Sequence, residues 1–217
     1  MASERLHINE IFLSIQGEST HAGRPCVFVR LTGCNLRCRW CDTEYAFYDG
    51  RKMTIAEVAE IIEGYRCDLV EITGGEPLLQ EGVYPLIDAM LNAGRTVMVE
   101  TSGAVNLVAL DPRVIKIMDL KCPGSGEHQR NLWSNLDHLT PRDEVKFVVA
   151  DRADYEWARD VIRERGIASR AGAMLMSPVF GELEPARLAA WILEDRLGAR
   201  LQLQIHKYIW PPTARGV

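Results

Sequence analysis

Gly33-Cys34-Asn35-Leu36-Arg37-Cys38-Arg39-Trp40-Cys41-Asp42-Thr43 places three cysteines on one short loop, separated by three and then two residues. Thiolates clustered this tightly point to a metal centre in a reducing compartment rather than to disulfides. A structural zinc site takes four protein ligands, usually as two pairs from two loops, so zinc would need a distant His or Cys to complete it. An iron–sulfur cube held by three thiolates leaves one iron open to a ligand. Spacing leaves both readings standing, and the incomplete set favours the cube.

A second signal follows downstream. Residues 68–72 read as a short buried strand, and Thr73-Gly74-Gly75-Glu76-Pro77 comes directly after it. Paired glycines let a backbone approach a ligand closely, and a carboxylate such as Glu76 can accept hydrogen bonds from an ammonium group.

The chain has 217 residues, 47% of them hydrophobic, enough for one domain with a sizeable core. A net charge of −5 without a basic stripe argues against a nucleic-acid surface. No long apolar run suggests a membrane span, and the expectation is a soluble, cytoplasmic protein. Strand-like runs cover 26–31, 68–72, 96–100, 114–118, 144–149, 173–176 and 201–205. Helix-like stretches cover 54–64, 83–93, 153–165 and 185–197, with Thr54 and Glu57 forming a capping box. Such alternation predicts an α/β fold, a mostly parallel sheet with crossover helices whose site lies at the carboxyl ends of the strands. Residues 122–139 form the longest irregular stretch. Cys26, Cys67 and Cys122 read as buried structural thiols, although Cys122 follows Lys121 and could approach a cofactor. The five histidines show no paired ligand spacing.

With the triad and the Gly-Gly-Glu-Pro turn together, the chain resembles the radical S-adenosylmethionine (radical SAM) superfamily. That resemblance implies a 4Fe–4S cluster on Cys34, Cys38 and Cys41, with SAM on the open iron. One electron from the cluster then cleaves SAM to a 5′-deoxyadenosyl radical. It also implies a partial (β/α) barrel, here in reduced form because convincing helices are few. By position it assigns Trp40 to the adenine, and Gly75 and Glu76 to the methionyl amine. Further SAM contacts fall to Ser102 and to the strand-end segment Asp119, Leu120 and Lys121, with Ser177 a weaker candidate.

The reaction is suggested by the amino-terminal stretch Ile8-Asn9-Glu10-Ile11-Phe12-Leu13-Ser14-Ile15-Gln16-Gly17-Glu18-Ser19, by Arg30, and by the tail Gln204-Ile205-His206-Lys207-Tyr208-Ile209-Trp210. These resemble the 7-carboxy-7-deazaguanine synthase family, radical SAM lyases of queuosine biosynthesis. The family rearranges 6-carboxy-5,6,7,8-tetrahydropterin to 7-carboxy-7-deazaguanine with loss of ammonia. The likeness implies that backbone groups of Ile15, Gln16 and Gly17 read the pterin edge. It gives Arg30 the substrate carboxylate, Thr73 a further substrate contact, and Thr43 a magnesium ion. A planar guanidinium suits a carboxylate, and magnesium keeps waters around few protein oxygens. His206 could lie near the substrate. A reductant such as flavodoxin and a homodimer are implied partners. The residues after Trp210 depart from shorter relatives that place a terminal carboxylate in the pocket. Two alternatives remain at this stage, a glycyl-radical-enzyme activase and a non-enzymatic iron–sulfur electron carrier.

Overall fold

The structure, a computed structural model, describes residues 5–217. In chain order the elements are β1 (Arg5–Ile15), β2 (Pro25–Leu31), β3 (Arg51–Thr54), α1 (Ile55–Gly64), β4 (Leu69–Gly74), α2 (Val83–Asn92), β5 (Thr96–Thr101) and β6 (Ile115–Asp119). There follow β7 (Glu144–Val149), α3 (Arg152–Glu164), β8 (Ala173–Pro178), α4 (Pro185–Glu194), β9 (Arg200–Leu201) and the short α5 (His206–Ile209). They form one nine-stranded sheet in the order β3-β1-β2-β4-β5-β6-β7-β8-β9. From β2 to β9 every neighbour is parallel, while β1 runs antiparallel to both β2 and β3.

The four long helices fall where the helical periodicity puts them, and Thr54 and Glu57 do form a reciprocal capping box at α1. No α-helix links β5 to β6 or β6 to β7 among the described residues; the second of these connections is a series of 3₁₀ turns. That is the reduced barrel. Three expectations need correction. The predicted strand over 201–205 shrinks to Arg200–Leu201, because the chain turns into α5. The strands β1 and β3 carry no clear period and were not foreseen.

Side-chain alternation gives the sheet two unlike faces. Val27, Val29 and Leu31, Val70 and Ile72, Val97 and Val99, and Val145 and Phe147 belong to the large core packed with the helices. On the opposite, inner face Phe28, Leu69, Met98, Ile115 and Ile117 form a smaller apolar floor, with Phe12 stacked on Phe28 at 5.1 Å between ring centroids. Two residues further along the same strands this face turns polar: Arg30 after Phe28, Glu71 after Leu69 with Thr73 two beyond it, Glu100 after Met98, Asp119 after Ile117. The site therefore begins where the floor ends.

A β-bulge between Ile8 and Glu10 shifts the register of β1 against β2. Ile8 packs into the helix-side core, yet Glu10 lines the inner face opposite Arg30. An extra residue reverses the alternation there.

The loop after β1 then crosses the inner face as a strap. Its neck is closed by Gln16 N–H to Arg24 O and Gly23 N–H to Gln16 O, both 2.8 Å. Beyond the neck, Gln16 donates to Glu71 on β4. Glu18 receives Lys146 of β7 at 2.9 Å, and the Thr20 amide donates to Glu144 of β7 at 3.0 Å.

Candidate active site

The two motifs meet through absent side chains. Gly74 adopts φ of 157° at the end of β4, and a Cβ on Gly75 would collide with the Gly33 carbonyl and with Cys34. Because neither carries one, the turn closes against the cysteine loop, with Gly75 N–H donating to Leu31 O at 3.2 Å and Glu76 N–H to Gly33 O at 2.8 Å. From the far side, Arg39 N–H donates to Ser125 O at 3.0 Å and Arg37 N–H to Glu127 at 2.6 Å. The loop is thus clamped between the segments that follow β4 and β6.

Cys34, Cys38 and Cys41 line a cavity of about 130 Å³ together with Gly75, Ser102 and Lys121. Burial raises all three thiols, Cys38 up to about 11, against the opposing pull of Lys121. Among the described residues no three of His, Cys, Asp and Glu converge tightly enough for a single metal ion. Zinc would draw its thiolates to about 2.3 Å from one centre, whereas a multi-iron cube spreads them over several irons. One wall carries a further sign of a missing donor: Asp119 Oδ1 is buried without a partner, while Oδ2 accepts from Lys121 at 2.8 Å. An orphaned acceptor costs about 1–3 kcal/mol, which a ligand hydroxyl or amine would recover. Thiols, glycine cradle and orphaned acceptor fit a cluster with a small polar ligand beside it.

A larger cleft of about 400 Å³ adjoins this cavity and shares Arg30, Thr43, Thr73 and Glu100 with it. Arg30 spends its Nε on Glu10 at 2.8 Å. Among the described residues its two terminal nitrogens have no partner and so are free for an anion. Tyr45 donates to the same Glu10 oxygen at 2.9 Å; burial, opposed by Arg30 and helped by Glu10, pushes its phenol up to about 12. At the floor, burial followed by the charges of Glu100 and Glu18 raises Glu71 well above the carboxylate range, favouring its neutral form. Burial also opposes ionisation of Glu18, but Lys146 prevails and holds it below the ordinary value.

Several sequence assignments change on this geometry. Ile15, Gln16 and Gly17 do line the cleft, but Gln16 spends its backbone on the strap's neck and Gly17 O accepts from Ile205 at 3.0 Å. What Gln16 presents is its side chain. Gly17 matters as a glycine because the His206 ring packs where its Cβ would be, and His206 lines the cleft. The Glu76 carboxylate is fully buried and already holds Thr101 and Ser102, with the Ser102 amide at 2.7 Å. It secures the end of β5, and the cavity sees the backbone of Gly74 and Gly75 instead. Leu120 belongs to the helix-side core, as does Cys122, which therefore does not approach the cavity. Ser177 is buried on β8 outside both cavities, and Trp40 lies half-buried under Arg39, 5.0 Å from the guanidinium, also outside them. Thr43 stands at the junction and donates to Asp42 at 2.9 Å. Glu10, Tyr45 and Lys146 were not singled out, although Glu10 lies within the amino-terminal stretch and Tyr45 only two residues after Thr43. The residues after Trp210 fold back so that Pro212 and Arg215 line the cleft, Arg215 standing 3.9 Å from the Tyr45 ring centroid.

A family model described as the radical SAM superfamily matches residues 28–182. The 7-carboxy-7-deazaguanine synthase of Koribacter versatilis (strain Ellin345) is 48% identical, across 98% of this chain and 100% of its own length. The enzyme of that name from Chlorobaculum tepidum is also 48% identical, across 98% of this chain and 97% of its own. Among solved structures, QueE from Escherichia coli superposes with a TM-score of 0.72 over 92% of this chain and 93% of that one; at 23% identity this speaks to the fold. Streptococcus suis SuiB bound to S-adenosylmethionine shares the architecture at a TM-score of 0.55, over 79% of this chain and 44% of that one. With the motif geometry and these likenesses together, the chain belongs to the radical SAM superfamily and, within it, to the 7-carboxy-7-deazaguanine synthase family.

Proposed function

We infer that this chain is a radical SAM lyase that converts 6-carboxy-5,6,7,8-tetrahydropterin to 7-carboxy-7-deazaguanine with release of ammonia. The observation that carries this reading is Arg30, oriented by Glu10 through Nε and presenting a free two-nitrogen fork where the cleft meets the cysteine-lined cavity. Such a fork matches a carboxylate in two parallel hydrogen bonds. When bound, the cluster and SAM supply one electron and a carbon radical able to abstract hydrogen.

The protein's own work is to bind, orient and enclose. Gln16 and Glu71 offer donors and acceptors at the cleft floor for the pyrimidine edge, while the flat apolar ring faces lie over Phe28 and Ile117. Thr73 stands in register with Arg30 on the neighbouring strand and places a hydroxyl beside the carboxylate end. The strap shields this volume from water, which strengthens each polar contact inside it. Thr43, at the junction, supplies one oxygen for a magnesium ion whose other ligands would be substrate and water. No helix among the described residues is long and apolar enough to cross a membrane, in keeping with a cytoplasmic enzyme. A flavodoxin-like reductant and a homodimer complete the proposal on family resemblance. The electron-carrier alternative leaves Arg30 and the large cleft without a purpose, and the curated relatives described above carry the synthase name rather than that of an activase.

The deciding experiment reconstitutes the cluster, reduces it, and adds SAM and the carboxytetrahydropterin with and without magnesium. A deazaguanine chromophore forming with 5′-deoxyadenosine, faster with magnesium, is expected. SAM cleavage that never yields a deazaguanine would overturn the assignment.

A further inference from the structure

Lys146 lies on the inner face of β7 and lines neither cavity, yet its ammonium draws in acids from several parts of the site. Projecting from β7, its ammonium reaches Glu18 at 2.9 Å and Asp119 at 3.7 Å, and also contacts Glu100. The side chain is 5% exposed. Burial alone would favour a neutral amine, but Glu100, Glu18 and Asp119 together hold it firmly charged.

The three acids belong to three different parts of the site. Glu18 is the centre of the strap and lines the large cleft. Glu100 is the wall common to both cavities, and also accepts from Thr73 at 3.3 Å. Asp119 lines the cysteine-side cavity and carries the orphaned oxygen. Without the ammonium, Glu18 and Glu100 would face each other across a space that also holds Glu71. Like charges so placed move apart or take up protons. A different buried lysine shows what an ordinary structural pair looks like: Lys116, at the start of β6, meets Asp143 alone at 2.9 Å and touches neither cavity.

We propose that Lys146 is a positioning residue that fixes the distance between the pterin and the adenosyl end of SAM. It does so by fastening the strap, the shared wall and the cofactor-side acid to a single charge. This rests on the function proposed above. Transfer of a hydrogen atom tolerates little misplacement, and a displacement near 1 Å costs on the order of a hundredfold in rate. Loosening this tie therefore lowers turnover without removing a ligand contact, and radicals formed at the wrong distance are quenched without product.

The test compares wild type, Lys146→Met, Lys146→Arg and Lys116→Met after cluster reconstitution. It measures iron content, melting temperature, kcat, KM for the pterin, and 5′-deoxyadenosine formed per deazaguanine. Lys146→Met is expected to keep its iron and to lose kcat by on the order of a hundredfold. Its 5′-deoxyadenosine per product should rise several-fold. Lys146→Arg, which keeps the charge, should recover part of the rate and of the ratio. Lys116→Met should melt earlier with the ratio unchanged. An unaltered ratio in Lys146→Met, or a loss no greater than that of Lys116→Met, overturns the positioning role. Should Lys146→Met fail to fold, Lys146→Gln combined with Glu18→Gln removes one charge of each sign and is held to the same two readouts. A wild type that cleaves SAM but makes no deazaguanine overturns the function itself and this role with it. Normal wild type with unchanged Lys146 variants overturns the role alone.

Discussion

The cysteine-lined cavity and the cleft beneath the strap share four residues but are built by opposite means. The first is built around one unbroken loop and one glycine turn, held by backbone hydrogen bonds and by a glycine where a Cβ would collide, with the ends of β5 and β6 closing its far wall. The second is made of side chains drawn from Glu10 to Arg215, held by charge. A cavity of the first kind fails whole when one part is removed. One of the second kind loses its contacts by degrees, because each side chain contributes separately.

The sharpest way to break that contrast is Cys34→Ala. A cube left with two thiolates is poorly held, so the iron chromophore and all SAM cleavage should vanish together. Cys26→Ala and Cys67→Ala should retain both; iron content and 5′-deoxyadenosine assays decide it. A Cys34→Ala protein that kept a full cluster would show that this cavity too is assembled piecemeal.

Arg30→Lys tests the other side with an intermediate effect. An ammonium cannot reproduce a two-nitrogen fork, and one lost charge-assisted bond costs about 1.5–3 kcal/mol, roughly tenfold to a hundredfold in affinity. Pterin binding should weaken by that amount while SAM binding holds, as read by titrating each ligand separately. Equal losses for both would mean that Arg30 supports the cysteine loop and that the two cavities are one unit.

The smallest effect concerns His206, packed on Gly17 at the cleft wall. Burial lowers its basicity, with Glu18 pulling the other way. The folded ring therefore holds its proton less tightly than the unfolded one. Unfolding takes up a proton as pH drops below about 6.5, so stability declines toward acid and is unaffected above. Melting curves of wild type and His206→Gln from neutral to mildly acidic pH should converge, wild type losing its advantage as pH falls. A parallel decline in both would exclude His206 from the acid response.

The same contrast explains how much could be read beforehand. The cysteines and glycines of the first cavity lay in two short strings, since close backbone approach requires glycine and cluster ligation requires cysteine at fixed spacing, whereas its outer wall of Glu100, Ser102, Asp119 and Lys121 lies outside both. The four long helices were legible from their periodicity because each buries one stripe. The strand β1 was not, since its bulge interrupts the alternation within Ile8-Asn9-Glu10-Ile11. Glu10, Tyr45 and Lys146 gave no signal either: a lone charged or aromatic residue in a strand or loop looks like surface until the sheet brings its partners near. Glu76 misled for the opposite reason. Its string pointed to a ligand, while its carboxylate is occupied in tying down the end of β5.

That bulge makes the phase of a single strand a determinant of chemistry. Ile8 and Glu10 would share a face in an uninterrupted strand; one surplus residue sends the first toward the helices and the second toward Arg30. The strand works as a phase switch, and what it switches is whether the anion-binding arginine has a carboxylate to brace it. Straightening the strand through Asn9 at unchanged length would leave every catalytic-looking string intact in the sequence, yet turn Glu10 and Phe12 toward the helix-side core. In this fold the phase of β1 has to be inherited as faithfully as the cysteines.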